Sequence, residues 1–377
     1  MKKLIILVLI LFLISSCGGN SSSDNSDNPS PSRNFYMGFT PWLYDASSWD
    51  YFIDTYSKIN ANGDIVAHHI QTGIPWQEAY SSTAYHDNVE GDIADRLSYT
   101  ENGKVIYLSI DCLNGTRDDL VPYWGENFNE PLSDHPPWDT YNFSSPQIIQ
   151  AYSNFAIDLI SRFNPRYFNY APEISELILN DAAKFKQFKI FAAGVYTNLK
   201  VAYPSLPLLV SVAFKNPDSD DAATIKTKMA GISNYYDMLG ISTYGYIFFD
   251  LYSNGGNPAY LPSAWLSQAQ QIAGIKPMAI TETAWIAEDY PLGEPFDFTI
   301  TGTADFQNDY LEKLFLESND LNIEFIIWFS IVDYDAWQAV YGNEVSRIWQ
   351  DTGLFDENLQ ERLALLTWQN WLSRSRE

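Results

Sequence analysis

Two glutamates in this chain stand where paired carboxyl chemistry could be done. Glu173 follows the run YFNYAP (167–172), and Glu282 closes PMAITE (277–282). A pair of opposed carboxyl groups can cleave a glycosidic bond, one donating a proton to the leaving oxygen and the other attacking the anomeric carbon. Retention of configuration requires the two to lie about 5–5.5 Å apart. The donor needs a raised pKa, which burial and a neighbouring carboxylate can supply. Glu176, one turn beyond Glu173, is a second candidate for the donor. Each glutamate also has a plainer reading as an acid favouring a helix N-terminus.

Other polar and aromatic residues follow apolar runs in the same way: Trp42, His68 and His69, Asp111, and Asn216. Alternation lets only one of His68 and His69 face the end of its strand, with His69 preferred. Asp111 could bind hydroxyls or cap a turn, and Trp42 and Asn216 are open in the same sense. Trp76, in GIPWQEA (73–79), could be a sugar platform or loop packing. The segment 112–145, holding Tyr123, Trp124 and Trp138, is too long for a bare connection and is expected to shape the site.

Eight strands are expected to carry these residues: 35–40, 65–70, 105–110, 167–172, 207–213, 237–243, 277–282 and 324–330. Several are near-continuous apolar runs, as parallel strands buried on both faces require. Amphipathic stretches at 146–163, 181–202, 303–318 and 359–373 alternate with them, the first opened by Ser145-Pro146. The pattern predicts an α/β fold, a (β/α)8 TIM barrel in one catalytic domain over 35–377. The site then lies at the C-terminal strand ends. An open doubly wound sheet is the competitor, but no Gly-rich turn follows the first strand.

Lys2 and Lys3, an apolar run at 4–14, then Ser15, Ser16 and Cys17 form a short targeting segment. It resembles a lipoprotein signal (1–16) with Cys17 acylated, implying a bacterial cell envelope location by lipid anchor, at the outer membrane or cell surface. Residues 17–34, rich in Gly, Ser, Asn, Asp and Pro, read as a flexible tether. The net charge of −25 argues against nucleic acid and anionic lipid as partners. The 12 Trp and 25 Tyr suit sugars, whose C–H faces stack on aromatic rings, although a large core also consumes them. Cys112 is left without an intrachain partner if Cys17 carries lipid, and the four His show no zinc spacing. No cofactor or metal is expected, and the chain is expected to act as a monomer.

The stretches ITETAW (280–285) and NYAPEISEL (169–177) are similar to the strand-seven and strand-four motifs of the clan A retaining glycoside hydrolases. Within that clan the chain resembles the arabinogalactan endo-β-1,4-galactanases and related endo-acting β-glycanases over essentially the whole barrel. The resemblance implies Glu282 as nucleophile, Glu173 as acid/base, and Tyr244 as the tyrosine bonded to the nucleophile. It also implies that Trp285 lies beside the reacting sugar and that Trp328, in IIWFSIVD (326–333), floors its subsite. The terminal DTGLFDENLQERLALLTWQNWL (351–372) is similar to the end of those enzymes. Two features depart from the clan: Pro172 stands where Asn usually precedes the acid/base, and the strand-two Arg is missing. The implied substrate is a β-linked polysaccharide such as β-galactan or β-mannan, cleaved internally. A non-catalytic glycan-binding lipoprotein on a degenerate barrel is the alternative, and a sugar-phosphate enzyme is disfavoured by the acidity.

Overall fold

The computed structural model describes residues 32–249, 254–263, 265–292 and 298–377, so the signal, Cys17 and most of the tether lie outside the described residues. Eight parallel strands close a barrel: β1 (Tyr36–Phe39), β2 (Ile65–Ile70), β3 (Val105–Ile110), β4 (Tyr167–Asn169), β5 (Leu208–Ala213), β6 (Met238–Thr243), β7 (Met278–Thr283) and β8 (Phe325–Trp328). Each pairs with its sequence neighbours, and β8 closes on β1. The expected TIM barrel is the observed fold, and all eight expected strands are present.

Strand parity divides the core in two. Tyr36, Ile65, Ala67, Tyr107, Tyr167, Leu209, Met238, Ala279, Phe325 and Ile327 form one buried cluster, the filling of the barrel. The alternate residues, among them Val66, Leu108, Leu239, Ile280 and Ile326, join the larger cluster between strands and helices. That is the period-two alternation of a sheet buried on both faces. Towards the C-terminal ends the filling turns polar, with Ser109, Asn169, Ser211, Ser242 and Thr281 all buried.

The helices start where local chemistry allows. The helix α1 (Pro146–Phe163) has Pro at its first position, while Ser145 makes no side-chain cap and accepts instead from the Asn142 N–H. In α2 (Ala182–Ala202) Asp181 caps the Ala183 and Lys184 amides. Thr303 does the same for Phe306 at the head of α3 (Ala304–Asp320). The last helix, α4 (Leu363–Leu372), packs Trp368 against Phe39 and Trp328.

The tether ends earlier than its composition suggested. Arg33 is buried, ion-paired to Asp64 at 2.7 Å, and Asn34 bonds Asn319, so both belong to the barrel unit Ser32–Glu377. Cys112 is a free, buried thiol.

Candidate active site

Glu173 and Glu282 line the same cavity at the C-terminal ends of the strands, a volume of about 240 Å³. Each reaches it through a local irregularity. Glu173 has φ of +50°, a left-handed conformation that costs a non-glycine residue about 1–2 kcal/mol. It stands directly before the short helix Ile174–Asn180, where the plainer reading also put it, but makes no side-chain cap. Its amide instead donates to Ser211 Oγ on β5 at 2.9 Å, and its carboxylate turns inward.

Glu282 depends on a bulge. Ile280 pairs with Ile241, yet the next residue of β6, Ser242, pairs with Glu282 rather than Thr281. The β8 pairing skips a residue of β7 at the same place, from Ile280 to Thr283. One extra residue in β7 breaks the alternation, so Thr281 and Glu282, although adjacent, both face the barrel interior. Gly240 leaves the space for this, since a Cβ there would lie 2.6 Å from the Thr281 methyl and 2.7 Å from Ser211 Cβ.

A row of alternating charge runs into the pair. His69 Nε2 lies 2.8 Å from Asp111 Oδ1, Arg117 Nη1 lies 2.7 Å from Asp111 Oδ2, and Arg117 Nη2 lies 3.2 Å from Glu173 Oε2. Ser242 Oγ donates to Glu173 Oε1 at 2.8 Å, and Tyr244 Oη donates to Glu282 Oε1. Burial, the largest single influence, lowers the His69 pKa, but the Asp111 charge, its hydrogen bond and the Glu282 charge together outweigh it and hold the ring above its usual value. Asp111 is raised by burial and lowered more by Arg117 and His69, so it stays below the usual carboxylate range. Glu282 is pushed up to about 7, first by burial and then by the charge of Glu173. Its environment therefore differs from that of Glu173, which has a guanidinium beside it.

The expected residues divide cleanly. Glu173, Glu282, His69 and Trp42 line the cavity, with Asp111 and Tyr244 directly behind them. His68 has the opposite parity: it is buried outside the barrel wall, bonded to Thr100 Oγ1 and packed on Phe163. Trp76 is fully buried against Trp138, with its N–H on the Val121 carbonyl, and serves as loop packing. Trp285 is fully buried on Tyr310, its N–H held by the Gly256 carbonyl. Trp328 is fully buried, its N–H held by the Thr352 carbonyl. Neither offers a face to a sugar. Asn216 closes a turn, accepting from the Asp218 amide, and is not part of the cavity wall. Glu176 pairs with Lys215 at 2.9 Å and is likewise outside the wall.

Sequence reasoning missed Arg117, Gln71, Phe329, Tyr334 and the segment Asn343–Trp349 in the cavity wall, and Ser242 behind Glu173. Parity could have found Phe329: with Phe325 and Ile327 inside the barrel, the next inward residue is Phe329, not Trp328. Trp42 meets it edge-on at 5.3 Å. Hence Trp328→Ala should cost about 3–5 kcal/mol of stability in urea unfolding and leave ligand binding in the cavity nearly unchanged. Phe329→Ala should do the reverse, weakening ligand binding with a smaller loss of stability. Equal effects of the two on binding would overturn this division.

A larger concavity, about 970 Å³, lies at the opposite end of the barrel among Arg166, Tyr203, Asp237, Pro277 and Glu324, where strands begin. The opposed carboxyl pair and its row of charges are at the smaller one, the end at which barrel enzymes do chemistry.

No protein-family model and no curated protein matches the chain. Solved structures do. The exo-beta-1,4-mannosidase Op5Man5 from Opitutaceae bacterium strain TAV5 has a TM-score of 0.61 at 14% identity, over 90% of this chain and 59% of that one. The beta-D-glucuronidase of Dictyoglomus thermophilum has a TM-score of 0.52 at 12% identity, over 91% and 51%. Bacteroides uniformis beta-glucuronidase 2, covalently bound to cyclophellitol-6-carboxylate aziridine, has a TM-score of 0.53 at 13% identity, over 90% and 35%. The likeness is one of fold, and the chain spans between about a third and three-fifths of each of these structures.

Proposed function

We propose that this chain is a retaining β-glycoside hydrolase in which Glu282 is the nucleophile and Glu173 the general acid/base. The observation that carries the reading is the convergence of these two carboxyl groups, from the ends of β4 and β7, in one cavity with a tyrosine hydroxyl on Glu282. The neighbours in fold are named for β-glycosidic activities, which supports the same reaction class.

In the first step a Glu282 oxygen attacks the anomeric carbon while Glu173 gives its proton to the departing oxygen, and a glycosyl ester forms on Glu282. In the second, Glu173 takes a proton from water, the water oxygen displaces Glu282, and the starting configuration returns. Reaction needs Glu282 as the anion and the proton on Glu173, whereas in the resting cavity burial and the Glu173 charge push the Glu282 carboxyl up to about 7. Positive charge developing at the anomeric carbon favours the anion on Glu282. Tyr244 stabilises that anion. Arg117 and Ser242 fix the direction of the Glu173 carboxyl.

The test is a panel of aryl β-glycosides and β-linked oligosaccharides followed by anomeric proton NMR, with an activated 2-deoxy-2-fluoro glycoside as trap. Retention and a label on the Glu282 peptide are expected. Inversion, or a label elsewhere, would show the mechanism to be wrong.

A further inference from the structure

We infer that the enzyme is exo-acting: its cavity receives a single terminal pyranose, and the chain end is held by the indole N–H groups of Trp42 and Trp349. This rests on the glycosidase reading and replaces the internal cleavage expected from sequence.

The first ground is size. The cavity, about 240 Å³, is smaller than the roughly 300–1,000 Å³ of sites for drug-sized ligands, and suits one ring. The second is its wall. Asn343, Val345, Ser346 and Trp349, from the connection after β8, line it together with Trp42, Phe329 and Tyr334. In a ring of eight strands β8 stands opposite β4, which carries Glu173. The leaving group departs on the Glu173 side, so this wall stands where a longer chain would have to continue past the glycone.

The wall is built as a fixed structure. Tyr334 Oη donates to the Ser346 carbonyl at 2.6 Å and Tyr246 Oη to the Ile348 carbonyl at 2.8 Å. Asn343 Oδ1 accepts from the Val345 amide at 2.8 Å and the Ser346 amide at 3.1 Å. The Trp349 ring packs edge-on to Tyr244 at 5.5 Å. Anchors after β6 and β8 thus hold one short segment across the mouth.

The third ground is unmet hydrogen bonding. The Nε1 atoms of Trp42 and Trp349 are buried and have no acceptor, although both residues line the cavity. A buried donor without a partner is costly, and hydroxyl oxygens of a sugar supply what is missing.

Reducing-end-labelled pentasaccharides of β-1,4-linked mannose, galactose, glucose and xylose decide the matter. Expected from the first time points are free monosaccharide and a labelled product one sugar shorter, together with turnover of the matching aryl monosaccharide. Internal labelled fragments would overturn exo action and leave the hydrolase reading intact. No cleavage of any oligosaccharide or aryl glycoside would overturn the hydrolase reading, and this inference with it. Trp349→Phe keeps the ring and deletes the N–H, and should raise KM for the aryl glycoside about tenfold. An unchanged KM would remove Trp349 from the sugar contacts.

Discussion

Glu282→Gln is expected to lower kcat by at least about 10⁴-fold, the scale seen when a residue acting in covalent catalysis is removed. Affinity for the glycan should hold, because the amide keeps the shape of the carboxyl and the lost interaction belongs to the transition state. The same variant should be more stable than the wild type at high pH. The Glu282 carboxyl titrates near 7 when folded against an ordinary 4.5. Between those values the native state keeps a proton that the unfolded chain has released, so stability falls as pH rises, by about 3 kcal/mol in all. Gln has no such titration. Calorimetric unfolding from pH 4 to 9 should show the two proteins alike at the acid end and the variant ahead above pH 7. A wild type and variant with parallel profiles would mean that Glu282 is not strained by burial. His69, held above its ordinary value, adds a fall of the same sign in both proteins, since the stability it contributes at low pH is lost as pH rises through its folded pKa.

Glu173→Ala should act selectively. Loss of a general acid costs about 10²–10⁴-fold on glycosides with poor leaving groups. Dinitrophenyl glycosides, which need no proton, should still form the glycosyl-enzyme quickly. Its hydrolysis then lacks a base, so kcat and KM fall together and azide, which needs no base, restores turnover as the glycosyl azide. The fold should survive, because Arg117 keeps its 2.7 Å pair with Asp111. Equal losses on good and poor leaving groups without azide rescue would remove Glu173 from the acid role. Glu176→Ala, which breaks the Lys215 pair and the contact with the Ser175 hydroxyl, is the control and should change neither.

What could be read from the sequence was what a strand writes locally. Continuous apolar runs located all eight strands, and the residue after each run located the mouth of the barrel, which is why Glu173, Glu282, His69 and Asp111 were found. Errors arose where parity was not carried through the run. Trp328, the last residue of β8, and Trp285, just past β7, face the helices, and Phe329 was passed over. Arg117 was missed for a different reason. It sits in the long connection after β3, which was expected to shape the site, but which side chain such a loop extends into it depends on the loop's folded path, here including a left-handed turn at Arg117 itself. The wall formed by Asn343–Trp349 is beyond any periodicity, being held by Tyr334 of its own connection and by Tyr246 of the connection after β6.

The extra residue in β7 has a consequence for how this barrel can change. Substitution at position 281 alters a side chain, whereas loss of one residue between Ile280 and Thr283 alters the depth at which the carboxyl stands. With Thr281 lost and alternation strict, Glu282 would follow Ile280 directly and take the deeper inward place that Thr281 now fills beside Gly240 and Ser211, away from the Tyr244 hydroxyl that it now accepts from. The chemistry of the pair is thus encoded in a length as much as in a residue type. Drift by point substitution can tune the site or silence it while leaving its geometry recoverable, but a single deletion in this strand would not be repaired by any choice of side chain.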